Sequence, residues 1–201
     1  MKQAKGKPLN SLRIIAGKWR SRKLSFPDLE GLRPTADRVR ETLFNWLQER
    51  VPRADCLDLF AGSGACGIEA LSRGARHVTF VDVSSVAIGA IGANLSQLQA
   101  AEFNLVCEDS LAWLSSPKRR EERLFDIVFV DPPFASTLLV DSIAALEASG
   151  RLSEDALIYL ESAQEIAATL MPENWHLRKS KRAGMVYFYL YQRHAKVSER
   201  Q

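Results

Sequence analysis

The apolar run 125–130 ends in the tetrapeptide Asp131, Pro132, Pro133 and Phe134. Prolines fix the backbone there and interrupt the ladder of a strand. The Asp131 carboxylate and the Pro132 carbonyl could each accept one N–H bond of an exocyclic nucleobase amine, which would aim the nitrogen lone pair at an incoming methyl group. Stacking of Phe134 on the base, worth about 1–3 kcal/mol, would offset much of the cost of unstacking the nucleotide. A rigid turn without chemistry is the alternative that two prolines alone leave open.

A glycine-rich loop follows an earlier predicted strand. Gly62, Gly64 and Gly67 have the spacing G-x-G-x-x-G, which lets the chain turn tightly and approach a ligand closely. Asp82 ends the next predicted strand, where a carboxylate can bind ribose hydroxyls. A nicotinamide dehydrogenase would show nearly the same glycines and the same acid, so this pattern alone leaves the cofactor open.

Two further acids favour S-adenosylmethionine over a nicotinamide nucleotide. Asp58 lies four residues before Gly62, where a carboxylate would repel a pyrophosphate but could hold the cationic amino-acid end of S-adenosylmethionine. Asp109 follows the third predicted strand and could accept a hydrogen bond from the adenine amine, although a helix cap explains it equally well. Acids at three consecutive strand ends indicate a ligand site, because ligands bind at that edge of a parallel sheet. The expected cofactor contacts are Asp58, Phe60, Ala61, Gly62, Gly64, Asp82, Val83, Asp109 and Ser110.

Alternating strands and helices must position these residues. The predicted strands cover residues 56–60, 78–83, 104–107, 125–130 and 156–160, and the predicted helices cover residues 65–73, 84–98, 110–115, 137–148 and 162–170. This alternation predicts parallel strands covered on both faces. Residues 175–181 and 185–192 are predicted to form an antiparallel hairpin at the sheet edge. The expected fold class is α/β, a Rossmann-like seven-stranded sheet of the S-adenosylmethionine-dependent methyltransferase type.

The first quarter of the chain is strongly basic. Residues 1–55 hold 13 Lys and Arg against 6 Asp and Glu, whereas the remainder holds 14 against 18. Residues 12–15 and 23–26 are predicted to form a hairpin, and residues 37–50 an amphipathic helix. A basic arm on a near-neutral body indicates a polyanionic partner, although such charge blocks are also typical of a disordered leader. We expect a basic RNA-binding extension over residues 1–52, a catalytic domain over 53–194 and a loose tail over 195–201.

Cysteine usage and hydropathy exclude several classes of protein. The three cysteines are scattered without a Cys-x-x-Cys pair, which argues against zinc or disulfides and fits a reducing cytoplasm. No apolar run approaches membrane-spanning length, and the basic N-terminus lacks the apolar stretch of a secretory signal. We therefore expect a cytoplasmic protein without a metal or a membrane. No long apolar seam indicates an obligate oligomer, so we expect a monomer.

The combined motifs resemble the bacterial 16S ribosomal RNA guanine-N2 methyltransferase family, the D type of small-subunit rRNA methyltransferases. The tetrapeptide matches the (Asp/Asn/Ser)-Pro-Pro-(Tyr/Phe/Trp) motif of amino-methyltransferases. The longer pattern that carries the resemblance comprises residues 13–20, 31–35, 37–45, 57–64 and 72–75. The resemblance spans about residues 12–192. Ala16 departs from it where a second glycine is expected, but Gly17 remains to make the turn.

The resemblance implies transfer of one methyl group from S-adenosylmethionine to the exocyclic amine of a guanine in the helix-31 loop of 16S rRNA. The implied substrate is the assembled or assembling 30S subunit rather than naked RNA. By motif, Asp58, Gly62 and Gly64 would hold the methionine end of the cofactor. Asp82 would hold the ribose and Asp109 the adenine, and residues 131–134 would hold the target base.

The resemblance also gives the basic arm a partner. We expect RNA contacts from Arg13, Lys18, Trp19, Arg20, Arg22, Lys23, Arg33 and Arg38, the Trp19 ring by stacking and the cations by binding phosphates. Arg33 and Arg38 have two alternatives: they bind the cofactor carboxylate, or they brace the helix against Glu41. Phosphate contacts position an RNA without reading its sequence.

Three other functions stay open. The first is an adenine or cytosine amino-methyltransferase of DNA or RNA, and the absence of a separate target-recognition domain counts against DNA. The second is a nicotinamide-dependent oxidoreductase. The third is a non-catalytic rRNA-binding factor, against which the intact acidic and aromatic positions count.

Overall fold

The structure is a computed structural model that describes residues 10–26, 37–118, 123–133 and 137–195. Its strands are β1 (Asn10–Arg13), β2 (Lys23–Phe26), β3 (Asp55–Asp58), β4 (His77–Asp82), β5 (Phe103–Cys107), β6 (Phe125–Val130), β7 (Leu152–Ser162), β8 (Trp175–Ala183) and β9 (Val186–Arg193). Its helices are α1 (Asp37–Trp46), α2 (Ala65–Ser72), α3 (Ser85–Gln97), α4 (Ser110–Ser115) and α5 (Leu138–Ala148), with a 3-10 turn at Ala168–Leu170.

Seven strands form the central sheet, in the order β5-β4-β3-β6-β7-β9-β8. Strands β3 to β7 are parallel, whereas β9 runs antiparallel to both β7 and β8. The predicted fold class and the terminal hairpin are therefore confirmed. The strand order reverses between β3 and β6, and ligands of such sheets bind outside the carboxyl ends at this point. The loops after β3 and β6 consequently meet at one edge.

Two apolar clusters cover the two faces of the sheet because strand residues alternate in direction. Ile127 and Phe129 of β6 belong to one cluster, and Val128 and Val130 to the other. The first cluster includes side chains of α1, α2 and α3, and the second those of α4 and α5. Five side chains of the basic arm join the first cluster: Leu12, Ile14, Trp19, Leu24 and Phe26. Residues 10–26 are therefore not a free leader.

Strands β1 and β2 form the predicted hairpin, with Leu12 opposite Leu24, and the hairpin docks on α2. The Glu69 carboxylate, buried in α2, accepts the backbone N–H groups of Ile15 and Ala16 at 2.8 and 3.0 Å. A Cβ atom at Gly17 would lie 1.9 Å from the Ser72 carbonyl oxygen, and the φ of Gly17 is +83°. Only glycine permits this close approach, so the turn places the hairpin on the helix.

One predicted helix is wrong, and the largest differences in length are those of α1 and β7. Residues 162–170 have helical composition, but β7 continues to Ser162 because Glu161 and Ser162 pair with Phe188 and Tyr187 of β9. Only the 3-10 turn remains of the predicted helix. Helix α1 ends at Trp46 and continues as turns rather than helix to residue 50. Strand β7 is longer than the predicted 156–160 because it spans the pairing with both β6 and β9.

Within the described ranges, no helix is long and apolar enough to cross a membrane.

Candidate active site

A cavity of about 990 Å³ opens at the carboxyl edge of the sheet. Its lining includes Asp58, Phe60, Ala61, Gly62, Asp82, Val83, Asp109, Ser110, Asp131, Pro132 and Pro133 from the predicted sites. It also includes Arg38 of α1, Glu161 of β7 and residues 181–186, which comprise the end of β8, the β8–β9 turn and the first residue of β9. The structure thus brings eight of the nine predicted cofactor residues and the described acceptor residues into one cavity, whereas Gly64 does not line it. Phe134 lies outside the described residues.

The glycine loop owes its shape to positive backbone angles and close packing. Gly62 and Gly64 have φ angles of 51° and 75°, a region that costs other residues energy. Gly67 lies within α2, and a Cβ atom there would stand 2.2 Å from Cε1 of Phe80 in β4. The third glycine therefore serves the packing of helix on sheet, and the first two shape the turn. Gly64 precedes α2 at its N-terminus.

Asp58 ends β3 and is almost wholly buried. Its Oδ2 accepts the backbone N–H of Gly67 at 2.8 Å. The pKa of the Asp58 carboxyl is raised to about 7: burial is the largest cause, the Gly67 hydrogen bond lowers the pKa, and the charge of Asp82 adds to the rise. A buried carboxyl of this kind is stabilised in its charged form by a cation beside it. Asp58 therefore fits a ligand that brings a positive charge into the cavity.

Asp82 links the glycine loop to the start of α3. Its Oδ2 accepts the Gly62 N–H at 2.8 Å, and its Oδ1 accepts the Ser84 N–H at 2.8 Å. Ser84, not Asp82, caps α3 through its hydroxyl and the Ala87 N–H. A carboxylate has about four lone-pair directions, so Asp82 keeps acceptor capacity for the predicted ribose hydroxyls while it holds the loop in place.

Asp109 and Ser110 both line the cavity and both hold α4. Asp109 is the N-cap residue, and its Oδ1 accepts the Ala112 N–H at 2.9 Å. The cap that the sequence left open is therefore present, and the predicted adenine contact would use the remaining lone pairs of Asp109. The buried Ser110 hydroxyl donates to the Leu59 carbonyl oxygen at 2.6 Å, which ties α4 to the end of β3.

Apolar groups line the cavity beside these acids. Val83 follows β4 and exposes 72% of its surface. Phe60 is partly buried, and Ala61 donates its N–H to the Val81 carbonyl at 2.9 Å. An exposed valine next to a carboxylate with remaining acceptor sites suits the flat face of a purine ring above a ribose.

The acceptor residues follow β6, which lies between β3 and β7. Asp131 is partly buried, Pro132 is buried and Pro133 is exposed. Glu161 of β7 lines the same cavity, is only 3% exposed, and accepts the Tyr159 hydroxyl at 2.6 Å. The sequence reasoning missed Glu161 because residues 162–170 were assigned to a helix, which hid the end of this strand at the cavity.

Helix α1 carries Arg38 to the cavity. The Phe44 ring packs against Phe129 of β6 with centroids 5.9 Å apart, and the Trp46 ring stacks on Phe188 of β9 at 5.3 Å. Exposed Arg38 lines the cavity, and no ion pair joins it to Glu41, although the structure describes both residues. Arg38 therefore does not brace α1 in this way. Arg33 lies outside the described residues.

The predicted RNA contacts of the β1–β2 hairpin divide into two groups. Arg13, Lys18, Arg20, Arg22 and Lys23 are exposed, so their cationic groups can reach a polyanion. The Trp19 ring is only 9% exposed and belongs to the core. The expectation that it stacks on RNA is wrong, because docking on α2 buries it under Lys18, whose ammonium lies 4.2 Å from the ring centroid.

Three cavity residues at the end of β8 and in the turn that follows were also missed: Lys181, Arg182 and Met185. Met185 is 79% exposed at the tip of the turn. The cluster of cations on β8 was visible in the sequence, but only the pairing of β9 with both β7 and β8 brings these residues to the cavity. No group of three or more His, Cys, Asp or Glu among the described residues is arranged to hold a metal ion.

The residues of the cavity fit S-adenosylmethionine. Asp58 offers a buried carboxyl that a cation would stabilise, Asp82 retains acceptor sites, and Val83 offers an exposed apolar face. A side chain at Gly62 or Gly64 would require an uncommon left-handed backbone. The seven-stranded sheet and this cavity define the class of S-adenosylmethionine-dependent methyltransferases.

Comparison with known proteins specifies the family. Ribosomal RNA small subunit methyltransferase D of Escherichia coli (strain K12) is 45% identical over 195 residues, which cover 97% of this chain and 96% of that protein. The Haemophilus influenzae protein of the same name is 44% identical and covers 90% of this chain and 93% of its own length. The family described as Conserved hypothetical protein 95 matches residues 12–192, and the chain belongs to this family.

Solved structures show the same fold. The structure of yhhF from Escherichia coli has 45% sequence identity and a TM-score of 0.84, and the match covers 93% of this chain and 100% of that one. The structure of SMU.776 complexed with SAH has 16% identity and a TM-score of 0.68, and the match covers 95% of this chain and 57% of that one. The second likeness extends to the fold alone.

Proposed function

We propose that this chain transfers a methyl group from S-adenosylmethionine to the exocyclic N2 amine of a guanine in 16S rRNA, acting as a monomer on the assembled or assembling 30S subunit. The observation that carries the proposal is that Asp58 and Asp131 line one cavity. The names of the relatives support rRNA of the small subunit as the substrate. The sequence resemblance supports guanine N2 in the helix-31 loop as the target.

The charges around the cavity support a base as the group that enters it. The described lining includes five acids, Asp58, Asp82, Asp109, Asp131 and Glu161. These carboxylates attract a cationic cofactor and oppose a phosphate. Arg38, Lys181 and Arg182 line the same cavity and are exposed. An extruded nucleotide would therefore place its base among the acids and leave its phosphate with the cations.

Bound S-adenosylmethionine supplies an activated methyl group on a sulfonium, so the protein mainly supplies orientation and placement of charge. The Asp131 carboxylate accepts one N–H of the target amine, and the Pro132 carbonyl accepts the other. These two bonds would turn the nitrogen lone pair towards the methyl carbon. As the nitrogen–carbon bond forms, the carbon–sulfur bond would break and its electron pair would stay on sulfur, which leaves as neutral S-adenosylhomocysteine. The methylated nitrogen, then cationic, would lose one proton, for which the Asp131 carboxylate is the proposed acceptor.

Transfer of a radiolabelled methyl group tests the proposal. The protein is incubated with labelled S-adenosylmethionine and unmodified 30S subunits, free 16S rRNA or duplex DNA. We expect label in 16S rRNA, more strongly with the subunit than with free RNA. Label in DNA alone would favour a DNA methyltransferase. Absence of label from both RNA substrates would overturn the proposal, and calorimetric binding of NAD(H) instead of S-adenosylhomocysteine would favour an oxidoreductase.

A further inference from the structure

Strand β8 carries four exposed cations, Arg178, Lys179, Lys181 and Arg182. The sequence contains no Asp or Glu between residues 174 and 195. In the described ranges of the chain, none of the four makes an ion pair with an acid. The β8–β9 hairpin, residues 175–193, therefore presents uncompensated positive charge.

This charge lies beside the cavity. Lys181 pairs with Phe188 of β9, and Phe188 pairs with Glu161 of β7. Neighbouring strands are about 4.8 Å apart, so Lys181 stands about 10 Å from Glu161 in the same row across the sheet. Both residues line the cavity. The basic strand thus runs from the rim of the cavity outward along the edge of the sheet.

The cations are spaced along an extended strand, not clustered at one point. A strand rises about 3.3 Å per residue, so residues 178 to 182 span about 13 Å, enough to contact more than one phosphate of a nucleic acid strand. The Arg182 side chain is held in place, because its Nε donates to the Gly184 carbonyl at 2.9 Å and its guanidinium lies 4.9 Å from the Tyr187 ring centroid.

The other basic surface of the molecule is the β1–β2 hairpin, which lies towards the opposite end of the sheet. The β1–β2 hairpin contacts α2 through Glu69 and α3 through Asn94, which accepts the Ser25 N–H at 3.1 Å. These helices cover β3, β4 and β5, whereas β8 forms the opposite edge. The cavity between β3 and β6 consequently lies between two cationic surfaces.

We propose that β8 is a second phosphate-binding surface for the RNA substrate, and that it holds the backbone next to the nucleotide that enters the cavity. The inference rests on the proposed function, since it takes RNA as the polyanion. Charge complementarity argues for this occupant, because non-specific phosphate contacts from Lys and Arg supply much of the affinity for nucleic acids. Lysines on an edge strand also prevent pairing with another chain, and the experiment separates the two roles.

The test replaces Arg178 and Lys179 by glutamate in one variant, R178E/K179E. Both residues lie outside the cavity lining, so the site for the cofactor is left intact. We expect the KM for unmodified 30S subunits to rise at least about tenfold, with a shallower dependence on salt concentration. Calorimetry should give an affinity for S-adenosylhomocysteine close to that of the wild type, which also shows that the variant is folded.

A control variant, R53E/K118E, changes the net charge equally at two residues that lie outside both the cavity lining and β8. Arg53 precedes β3. Lys118 lies three residues after the end of α4, close to Ser116, whose carbonyl oxygen accepts a hydrogen bond from Arg151 at 3.1 Å. The KM of this control should stay near the wild-type value. If it rises as much as that of R178E/K179E, a general charge effect explains the result and the inference is overturned.

Glutamate protects an edge strand as lysine does, so a role in edge protection alone predicts a wild-type KM for R178E/K179E, which would also overturn the inference. Should the charge reversal impair folding, R178Q/K179Q serves instead, and its KM should rise by a smaller factor. A wild-type protein that labels no rRNA would refute the proposed function. If the wild type labels rRNA and the β8 variants have an unchanged KM, only the role of β8 would be refuted.

Discussion

The two halves of the cavity are built in different ways. The cofactor half consists of the carboxyl ends of β3, β4 and β5, which are successive in the chain. The acceptor half consists of Arg38, the end of β6, Glu161 of β7 and the β8–β9 turn, which come from distant parts of the sequence. In the cofactor half, carboxylates hold the backbone directly: Asp58 accepts from Gly67, and Asp82 accepts from Gly62 and Ser84.

This difference separates the consequences of mutation. The carboxylates of the cofactor half hold the loop, and under the proposed function they also bind the cofactor. Most residues of the acceptor half lie at strand ends that the sheet already holds in place. Changes there should alter turnover or RNA affinity and leave the cofactor affinity intact.

Replacing Asp131 by alanine should have the largest effect. Without its carboxylate the target amine loses one of two orienting hydrogen bonds, and misplaced reacting groups cost about a hundredfold or more in rate. We expect turnover on 30S subunits to fall by at least about that factor, while calorimetry shows an unchanged affinity for S-adenosylhomocysteine. Asp141→Ala removes an exposed acid on α5 and should leave both quantities unchanged. Equal loss of turnover and cofactor affinity in Asp131→Ala would mean that the halves are not separable.

Replacing Asp58 by asparagine should act on the cofactor first. A hydrogen bond to a charged group contributes about 1.5–3 kcal/mol, so the affinity for S-adenosylmethionine should fall about tenfold to a hundredfold at pH 8. The thermal midpoint at pH 8 should not fall, because the variant no longer buries a charge. A large loss of thermal stability with unchanged affinity would contradict the role of Asp58 as the counter-charge.

Replacing Gly67 by alanine should destabilise the cofactor half through packing. The new Cβ would meet the Phe80 ring at 2.2 Å, and overpacking of a core costs about 1–3 kcal/mol. Gly89 of α3 is the matched control, since a Cβ there meets nothing within 4 Å. Gly89→Ala should stabilise the protein by up to about 1 kcal/mol. Urea unfolding measures both, and equal effects of the two substitutions would contradict the close packing of α2 on β4.

The smallest expected effect is the change of cofactor affinity with pH. With the pKa of Asp58 at about 7, the charged carboxylate dominates above pH 7 and the neutral acid below it. Affinity for S-adenosylmethionine should therefore weaken about tenfold between pH 7.5 and pH 6, and Asp58→Asn should remove this dependence. A flat calorimetric profile for the wild type would contradict the assignment.

Without the cofactor, the free energy of unfolding should change with pH in the opposite direction and fall as the pH rises. The Asp58 pKa in the folded state, about 7, lies above its ordinary value of 3.8. The stability that the protonated acid contributes is thus complete below pH 3.8 and is lost as the pH rises through about 7. Comparing the free energy of unfolding of the wild type and Asp58→Asn across this range measures the contribution.

The residues of the cofactor half could be predicted from the sequence because one loop and the ends of neighbouring parallel strands place them. Gly62 and Gly64 lie in one loop, and the carboxyl ends of parallel strands place Asp58 and Asp82 beside it. Asp131 followed from the same rule, since its strand is also parallel. The dual use of Asp82 was not visible, because nothing in the sequence shows which backbone groups a carboxylate will meet.

Residues that depend on long-range packing escaped prediction. Glu161 and Lys181 become neighbours of the cavity only through the pairing of β7, β9 and β8. The helical composition of residues 162–170 predicted a helix there, whereas β7 continues to Ser162 through its pairing with β9 and only a 3-10 turn follows. Trp19 sits in a basic turn that reads as solvent-exposed, and only docking on Glu69 and Ser72 buries it. Local composition carries no signal of that contact.

The proposed function requires the acceptor half to present a guanine amine of small-subunit rRNA to the methyl group. Mass spectrometric analysis of nucleosides and ribonuclease fragments from 30S subunits treated with the protein and S-adenosylmethionine measures this directly. We expect N2-methylguanosine in a fragment from the helix-31 loop of 16S rRNA, and none of it with Asp131→Ala. Methylated adenosine or cytidine, or methylation that persists in Asp131→Ala, would contradict the proposed function.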